Sequence, residues 1–279
     1  MYSFHRDPGG RRKDWGERDI AVKGSGLEEY LRRLLAPADP IVLEAIERGP
    51  IDCGAALPLT EIDRLLDPAP LGAQTGWCTL PNGVGYVAVQ TEMPGITAEM
   101  IDWWFDWHAR DPLRYRIWHP MAHVGNSFEA PPYPGAKPHW GAVHHPVQDV
   151  GTGVVRSRIT YTRPRAVGFS TDAIGDPAVG TVVCGFLGDD RRGIRHSVMA
   201  HVFLAEPCGL ILRTHYWLGA AMRPNLRGHL GRLGGRALNR RAVRKLVLPP
   251  DAAPGLARHS AEEMANLALL LPGLYARFG

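Results

Sequence analysis

His259 and Glu263 stand four positions apart in the segment GLARHSAEEMANLALLLPGLYARF, close to the end of a chain of 279 residues. If that segment is helical, the two side chains leave one face about a turn apart. An imidazole nitrogen and a carboxylate oxygen so placed can reach a single metal ion. The same spacing also suits an exposed pair of no chemical consequence, so a metal site needs further donors from elsewhere. Four remote histidines offer them: His123, His144, His145 and His201, each beside a predicted strand or an aromatic loop. A tetrahedral or five-coordinate site would take one or two of these. His123 belongs to RYRIWHPMAHVGN, residues 114–126, where two aromatics, two histidines and an Asn share thirteen positions directly after a tryptophan-dense stretch. Such a mixture reads either as packed core or as one wall of an active site.

The elements that would position these groups can be read from periodicity. The first 20 or so residues are polar and rich in Gly and Arg, which predicts an exposed arm. Helical patterns follow in LEEYLRRLLA and IVLEAIERG, and a short helix is predicted at PLTEIDRLLD with Thr60 as its cap. The alternating valines of GVGYVAVQTEM predict a strand. Next, TAEMIDWWFDWHARDP reads as a helix capped by Thr97 and stopped before Pro112, carrying Trp103, Trp104 and Trp107 into the core. The opening motif and PPYPGAKPHWGAVHHPVQDVG read as loops. Strands are predicted at GVVRSRITYT, GTVVCGFLG, IRHSVMAHVFLAE and GLILRTHYWLG, the last two forming a hairpin through Pro207, Cys208 and Gly209. A final helix holds His259 and Glu263, with Pro272 expected to kink or divide it. Antiparallel strands around a long C-terminal helix describe an α+β fold able to enclose a cavity. The expected division is 1–82 for an arm and small helical part and 83–279 for the larger unit.

Composition narrows the classes of function. A chain 45% apolar and 22% charged is ordinary for a soluble globular protein, and no apolar run approaches membrane-spanning length. A cytoplasmic location is therefore the expectation. Much of the net charge of +4 lies between Arg213 and Lys245, but this run lacks interleaved aromatics and any nucleic-acid-binding motif. Neither nucleic acid nor membrane is an expected partner. Cys53, Cys78, Cys184 and Cys208 are widely scattered and read as reduced, structural residues.

Three separated motifs, RYRIWHPMAHVGN, AHVFLAEPCGLILRTHYWLG and RHSAEEMANLALLLPGLYARF, resemble the diacetylphloroglucinol hydrolase and phloretin hydrolase family over most of the chain from about Tyr86 onward. The resemblance implies a helix-grip (Bet v 1-like) barrel behind a small N-terminal helical domain, and homodimer formation. It also implies one divalent metal ion, zinc first, with iron or manganese suited by the same ligands. The implied reaction is cleavage of the carbon–carbon bond between a phenolic ring and an acyl group, of retro-Claisen type. By the same resemblance His123, His259 and Glu263 are metal ligands, while Tyr115, Asn126, His201 and Tyr216 are polar groups on the substrate side.

One position departs from the family pattern. Where the family has a Glu before an Ile/Val-Gly step, this chain reads HHPVQDVG, with Gln148 at the expected place and Asp149 next to it. Gln148 could coordinate through its neutral amide oxygen, Asp149 could replace it after a register shift, or water could fill the place. Two other functions therefore stand beside hydrolysis of an aryl ketone. The pocket could serve another carbon–carbon reaction such as retro-aldol cleavage, or hold an aromatic ligand without catalysis.

Overall fold

The computed structural model describes residues 24–131, 135–224 and 238–279. The expected N-terminal arm and the middle of the Arg-rich run lie outside the described residues. Short helices α1 (Glu28–Arg32) and α2 (Pro40–Glu47) lead into a hairpin of β1 (Gly76–Thr79) and β2 (Gly85–Pro94). The chain then crosses one face of the sheet as α3 (Ala98–Trp107) and α4 (Pro112–Trp118). From the far edge it returns strand by strand: β3 (His123–Glu129), β4 (Val143–Asp149), β5 (Val154–Thr162), β6 (Val179–Asp189), β7 (Ile194–Glu206) and β8 (Gly209–Leu218). A short α5 (Pro164–Val167) interrupts this return, and β9 (Arg223–Pro224) pairs with β7. The helices α6 (Arg241–Val247) and α7 (Ala252–Phe278) complete the chain. All pairings are antiparallel in the order β1-β2-β8-β7-β6-β5-β4-β3, so β8 meets β2 and the crossover helices span the distance to β3. This is an α+β fold with one large antiparallel sheet and a long C-terminal helix.

Strand alternation divides the apolar residues into two cores. Val87, Val89, Val183, Met199, Phe203 and Leu212 face α3, α4 and α7, whereas Tyr86, Ala88, Val182, Cys184, Val202 and Trp217 face the 3-10 segment around Ile62 and Leu65. Leu27, Leu31 and Ile46 pack into the first of these cores, so residues on both sides of position 82 share one sheet and one interior.

Local signals set several boundaries. Thr97 accepts from the Met100 amide to cap α3, and Asp111 accepts from Leu113 at the start of α4, with Pro112 in the first turn. The Pro207–Gly209 hairpin forms as expected. Other expectations are corrected. Residues 59–65 form 3-10 helix with Pro58 at the cap position, and Thr60 caps nothing there. β1 lies in a stretch with no strand prediction and gains its order from pairing with β2. The motif 114–126 is α4 followed by β3, and 143–149 is β4, where loops were expected. Pro146 hides that strand because it has no N–H, and the ladder to β5 skips from His144 to Val147. Pro272 does not divide α7, which runs unbroken for 27 residues.

Asn266 fastens α7 to the elements beside it. Its amide nitrogen donates to the carbonyls of Ile117 (3.2 Å) and Trp118 (2.8 Å), and its oxygen accepts from Ala36 N–H (3.2 Å). Asn266→Ala leaves three buried backbone groups without these partners and is expected to cost about 2–3 kcal/mol, read as a lower urea midpoint. An unchanged midpoint would show that the end of α4 is held by packing alone.

Candidate metal centre and the pocket beside it

Two local features bring three donors together. On α7, the four-residue spacing places His259 and Glu263 on the face turned to the sheet, both nearly fully buried. On β3, the pairing slips between His123 and Gly125, so Val124 is an extra residue. This bulge lets His123 and Asn126, three apart, both point inward, which strict alternation would forbid. His123 Nε2 then lies 3.3 Å from His259 Nε2 and 3.5 Å from Glu263 Oε2, and the latter two are 3.4 Å apart.

That triangle fits a metal ion. Four ligands in a tetrahedron with bonds near 2.05 Å stand about 3.3–3.4 Å apart, whereas an octahedron with similar bonds brings neighbouring ligands to about 3.0 Å. His123 Nδ1 donates to the Tyr115 carbonyl at 2.9 Å, which fixes the tautomer and leaves the Nε2 lone pair facing the other donors. Burial pushes the His123 imidazolium down to about 4, so this side chain is neutral near pH 7. Burial would by itself raise the Glu263 carboxyl, but the His259 and His123 imidazoles outweigh it and hold the acid well below the usual carboxylate range. A neutral His123 and an ionised Glu263 are protonation states that suit a divalent ion.

Around the triangle, the ring of Tyr115 lies parallel to His123 at 4.0 Å, and its hydroxyl donates to Gln148 Oε1. Gln148 sits directly across from His123 in the β3–β4 ladder and so shares its face. Asp149 has the opposite alternation; its Oδ1 accepts from the Gly151 and Gly153 amides in the β4–β5 turn. That turn approaches α7 closely: a Cβ on Gly255 would stand 2.5 Å from the Val150 carbonyl, which only glycine tolerates. Gln148 thus shares a face with His123, whereas Asp149 is tied into a turn.

The remaining expected residues line the same interior. Tyr216 OH accepts from Ser260 Oγ at 3.2 Å, one position after His259 on α7. His201 Nδ1 pairs with Thr214 Oγ1 at 2.9 Å, and its ring meets Tyr216 edge-on. Burial raises the hydroxyls of Tyr115 and Tyr216 far above the phenol range and lowers His201 to about 4, so all three are neutral. Asn126 is buried with neither amide atom paired among the described residues. Of the other histidines, His145 lies on the outer face between Glu129 (2.8 Å) and Asp190 (2.9 Å), whereas His144 points inward against Tyr161.

The sequence pattern alone did not single out His119 or Tyr161. His119 stacks parallel on His259 with ring centres 5.1 Å apart, and its Nε2 donates to Glu262 Oε2 at 3.2 Å. Its spacing from His123 in HPMAH was a visible signal, but Pro120 obscured the turn in which His123 N–H donates to the His119 carbonyl. Tyr161 gave no signal beyond strand alternation.

The sequence model of the DAPG hydrolase PhiG domain matches residues 57–276. Phloretin hydrolase of Eubacterium ramulus is 28% identical over 256 residues, which cover 89% of this chain and 88% of that protein. The 2,4-diacetylphloroglucinol hydrolase of Pseudomonas protegens is 28% identical over 276 residues, covering 93% and 86% respectively.

Proposed function

Because the chain belongs to the DAPG hydrolase PhiG domain family, we propose that it is a metal-dependent hydrolase that cleaves the bond between a phenolic ring carbon and an acyl carbon. The observation that carries this reading is the buried His123–His259–Glu263 triangle, whose sides match the ligand spacing of a four-coordinate ion. Two imidazoles and a carboxylate suit zinc, and the same ligands serve iron or manganese. In this reading Gln148 offers its amide oxygen as a fourth, neutral ligand, steered by the Tyr115 hydroxyl. The sheet and α7 form the family's helix-grip unit with α1 and α2 packed into its core, and the chain works as a homodimer in the cytoplasm.

Hydrolysis of an aryl ketone gives the ring carbon a proton and the acyl carbon a hydroxyl, both from water. When bound, a divalent ion polarises a carbonyl and lowers the pKa of water from 15.7 to about 7. The protein must orient the ring and deliver its proton. Tyr216, kept protonated by burial and accepting from Ser260, donates its proton to a substrate oxygen; Tyr115, whose proton goes to Gln148, can accept from a substrate hydroxyl, and Asn126 can both donate and accept. His201 is a neutral imidazole held by Thr214, suited to pairing with a substrate oxygen or with the water that supplies the ring proton. Buried walls keep bulk water from competing for these bonds.

The neutral Gln148, with its oxygen already engaged by Tyr115, favours one second reading: a binding protein for aromatic ligands. Metal content separates the two. Protein purified without added metal is expected to carry close to one ion per chain and, with Gln148→Glu, to hold it more tightly against chelators. An empty wild type with a filled Gln148→Glu variant would favour the binding protein. A metal-loaded wild type that cleaves no member of a panel of acylated phenols would refute the hydrolase.

A further inference from the structure

Near Tyr115 lies a second group of buried imidazoles that the chemistry above does not use. His108, His139 and His144 are all at most 2% exposed. His108 Nδ1 is 2.6 Å from the Trp104 carbonyl. A carbonyl can only accept, so a neutral His108 carries its proton on Nδ1 and presents a lone pair at Nε2. That Nε2 has no hydrogen-bond partner among the described residues, nor has His144 Nε2. The two rings meet edge-on with centres 5.4 Å apart, and His144 is flanked by Tyr161 at 4.6 Å. Burial pushes His108 down to about 4 and His144 well below its ordinary value, in agreement with neutral rings.

A buried lone pair left unmatched is costly, and only a donor can match it. A ketone, carboxylate or ether oxygen placed against His108 Nε2 would oppose lone pair to lone pair. A hydroxyl can donate to His108 and still accept from a protonated His144 Nε2. The surroundings suit a flat ring: Phe105 packs edge-on to His108, Trp118 and Tyr161. His108 also approaches Tyr115, whose ring stacks on His123, with centres 6.2 and 4.0 Å apart.

We propose that His108 and His144 form a specificity subsite that recognises a free hydroxyl on the substrate's ring, away from the acyl group under attack. This rests on the phenolic-ketone reading of the metal site but makes its own demand: the ring must carry a second hydroxyl that is not alkylated. The same chemistry excludes ring methyl ethers, which cannot donate, and ring carboxylates, which add an unpaired buried charge.

The test needs no turnover. Binding of 1,3,5-trihydroxybenzene and of its trimethyl ether is measured by calorimetry for the metal-loaded wild type, His144→Phe and His108→Gln, and for the metal-free His259→Ala protein. The wild type is expected to bind the hydroxylated ring at least about tenfold more tightly than the ether. The two subsite variants are expected to lose most of that preference, and His259→Ala to keep it. Because His108 is wholly buried and its variant could fail to fold, the wild-type protein labelled with 15N-histidine supplies a second readout. The His108 Nε2 resonance is expected to shift upfield with the hydroxylated ring and to stay unmoved with the ether. Equal affinities for the two rings, or an Nε2 signal indifferent to both, would overturn the subsite and assign those nitrogens to water. Preserved discrimination in a protein that hydrolyses no acylphenol would leave the subsite standing and remove the hydrolase reading instead.

Discussion

His259→Ala is expected to release the bound ion and to lower kcat/KM for an acylated phenol by about a thousandfold or more. The triangle loses one of three donors, and the remaining pair, His123 and Glu263, leaves an ion held at only 3.5 Å spacing by one imidazole and one carboxylate. Metal assistance of this kind is worth several kcal/mol, at about 1.4 kcal/mol for each factor of ten. The loss should not come from misfolding, because the three donors otherwise form a buried polar cluster rather than apolar packing. Near-native circular dichroism together with absent metal and absent turnover is the expected set of results. Glu263→Gln, which keeps shape and removes the negative charge, should lose most of the activity as well. Wild-type turnover by a metal-stripped His259→Ala protein would rule out metal-dependent hydrolysis.

Acidification from pH 7.5 to 4.5 is expected to destabilise the protein strongly. Burial pushes His108, His139 and His201 down to about 4, and His215 down to about 3, against about 6.5 when the chain is unfolded. Between pH 6.5 and 4 the unfolded chain therefore binds protons that the folded chain refuses. Stability is complete above 6.5 and falls as the pH drops through this window. The full displacement is worth roughly 3 kcal/mol for each ring, and a third of that from four rings is about 4 kcal/mol. This is a large share of the roughly 5–15 kcal/mol that holds a domain folded. Urea denaturation of chelator-treated protein should show a midpoint that drops steeply below pH 6.5. The same midpoint at pH 7.5 and 4.5 would mean that these imidazoles titrate as they do in water.

The two predictions draw on different amounts of sequence information. The His259–Glu263 pair could be read directly, because helical periodicity fixes which side chains share a face wherever the helix packs. The strand alternation of β2 and β5–β8, the Thr97 cap and the hairpin at Pro207–Gly209 were legible for the same reason: each is decided within a few bonds. The family motifs added His123, which lies 136 positions from His259 and shares no local pattern with it.

Tertiary structure alone decided the rest. The bulge at Val124 turns both His123 and Asn126 inward, and strand pairing sets Gln148 rather than Asp149 opposite His123. β4 exists despite Pro146 because β3 and β5 hold it from both sides. Likewise, His108 follows a helix as an unremarkable residue, and its tautomer is set only where its ring meets the Trp104 carbonyl beneath Phe105 and Trp118. Spacing along one element is set by the backbone's own period, so sequence contains it. Convergence of separate elements depends on register, bulges and packing between distant segments, and for that the chain has to fold.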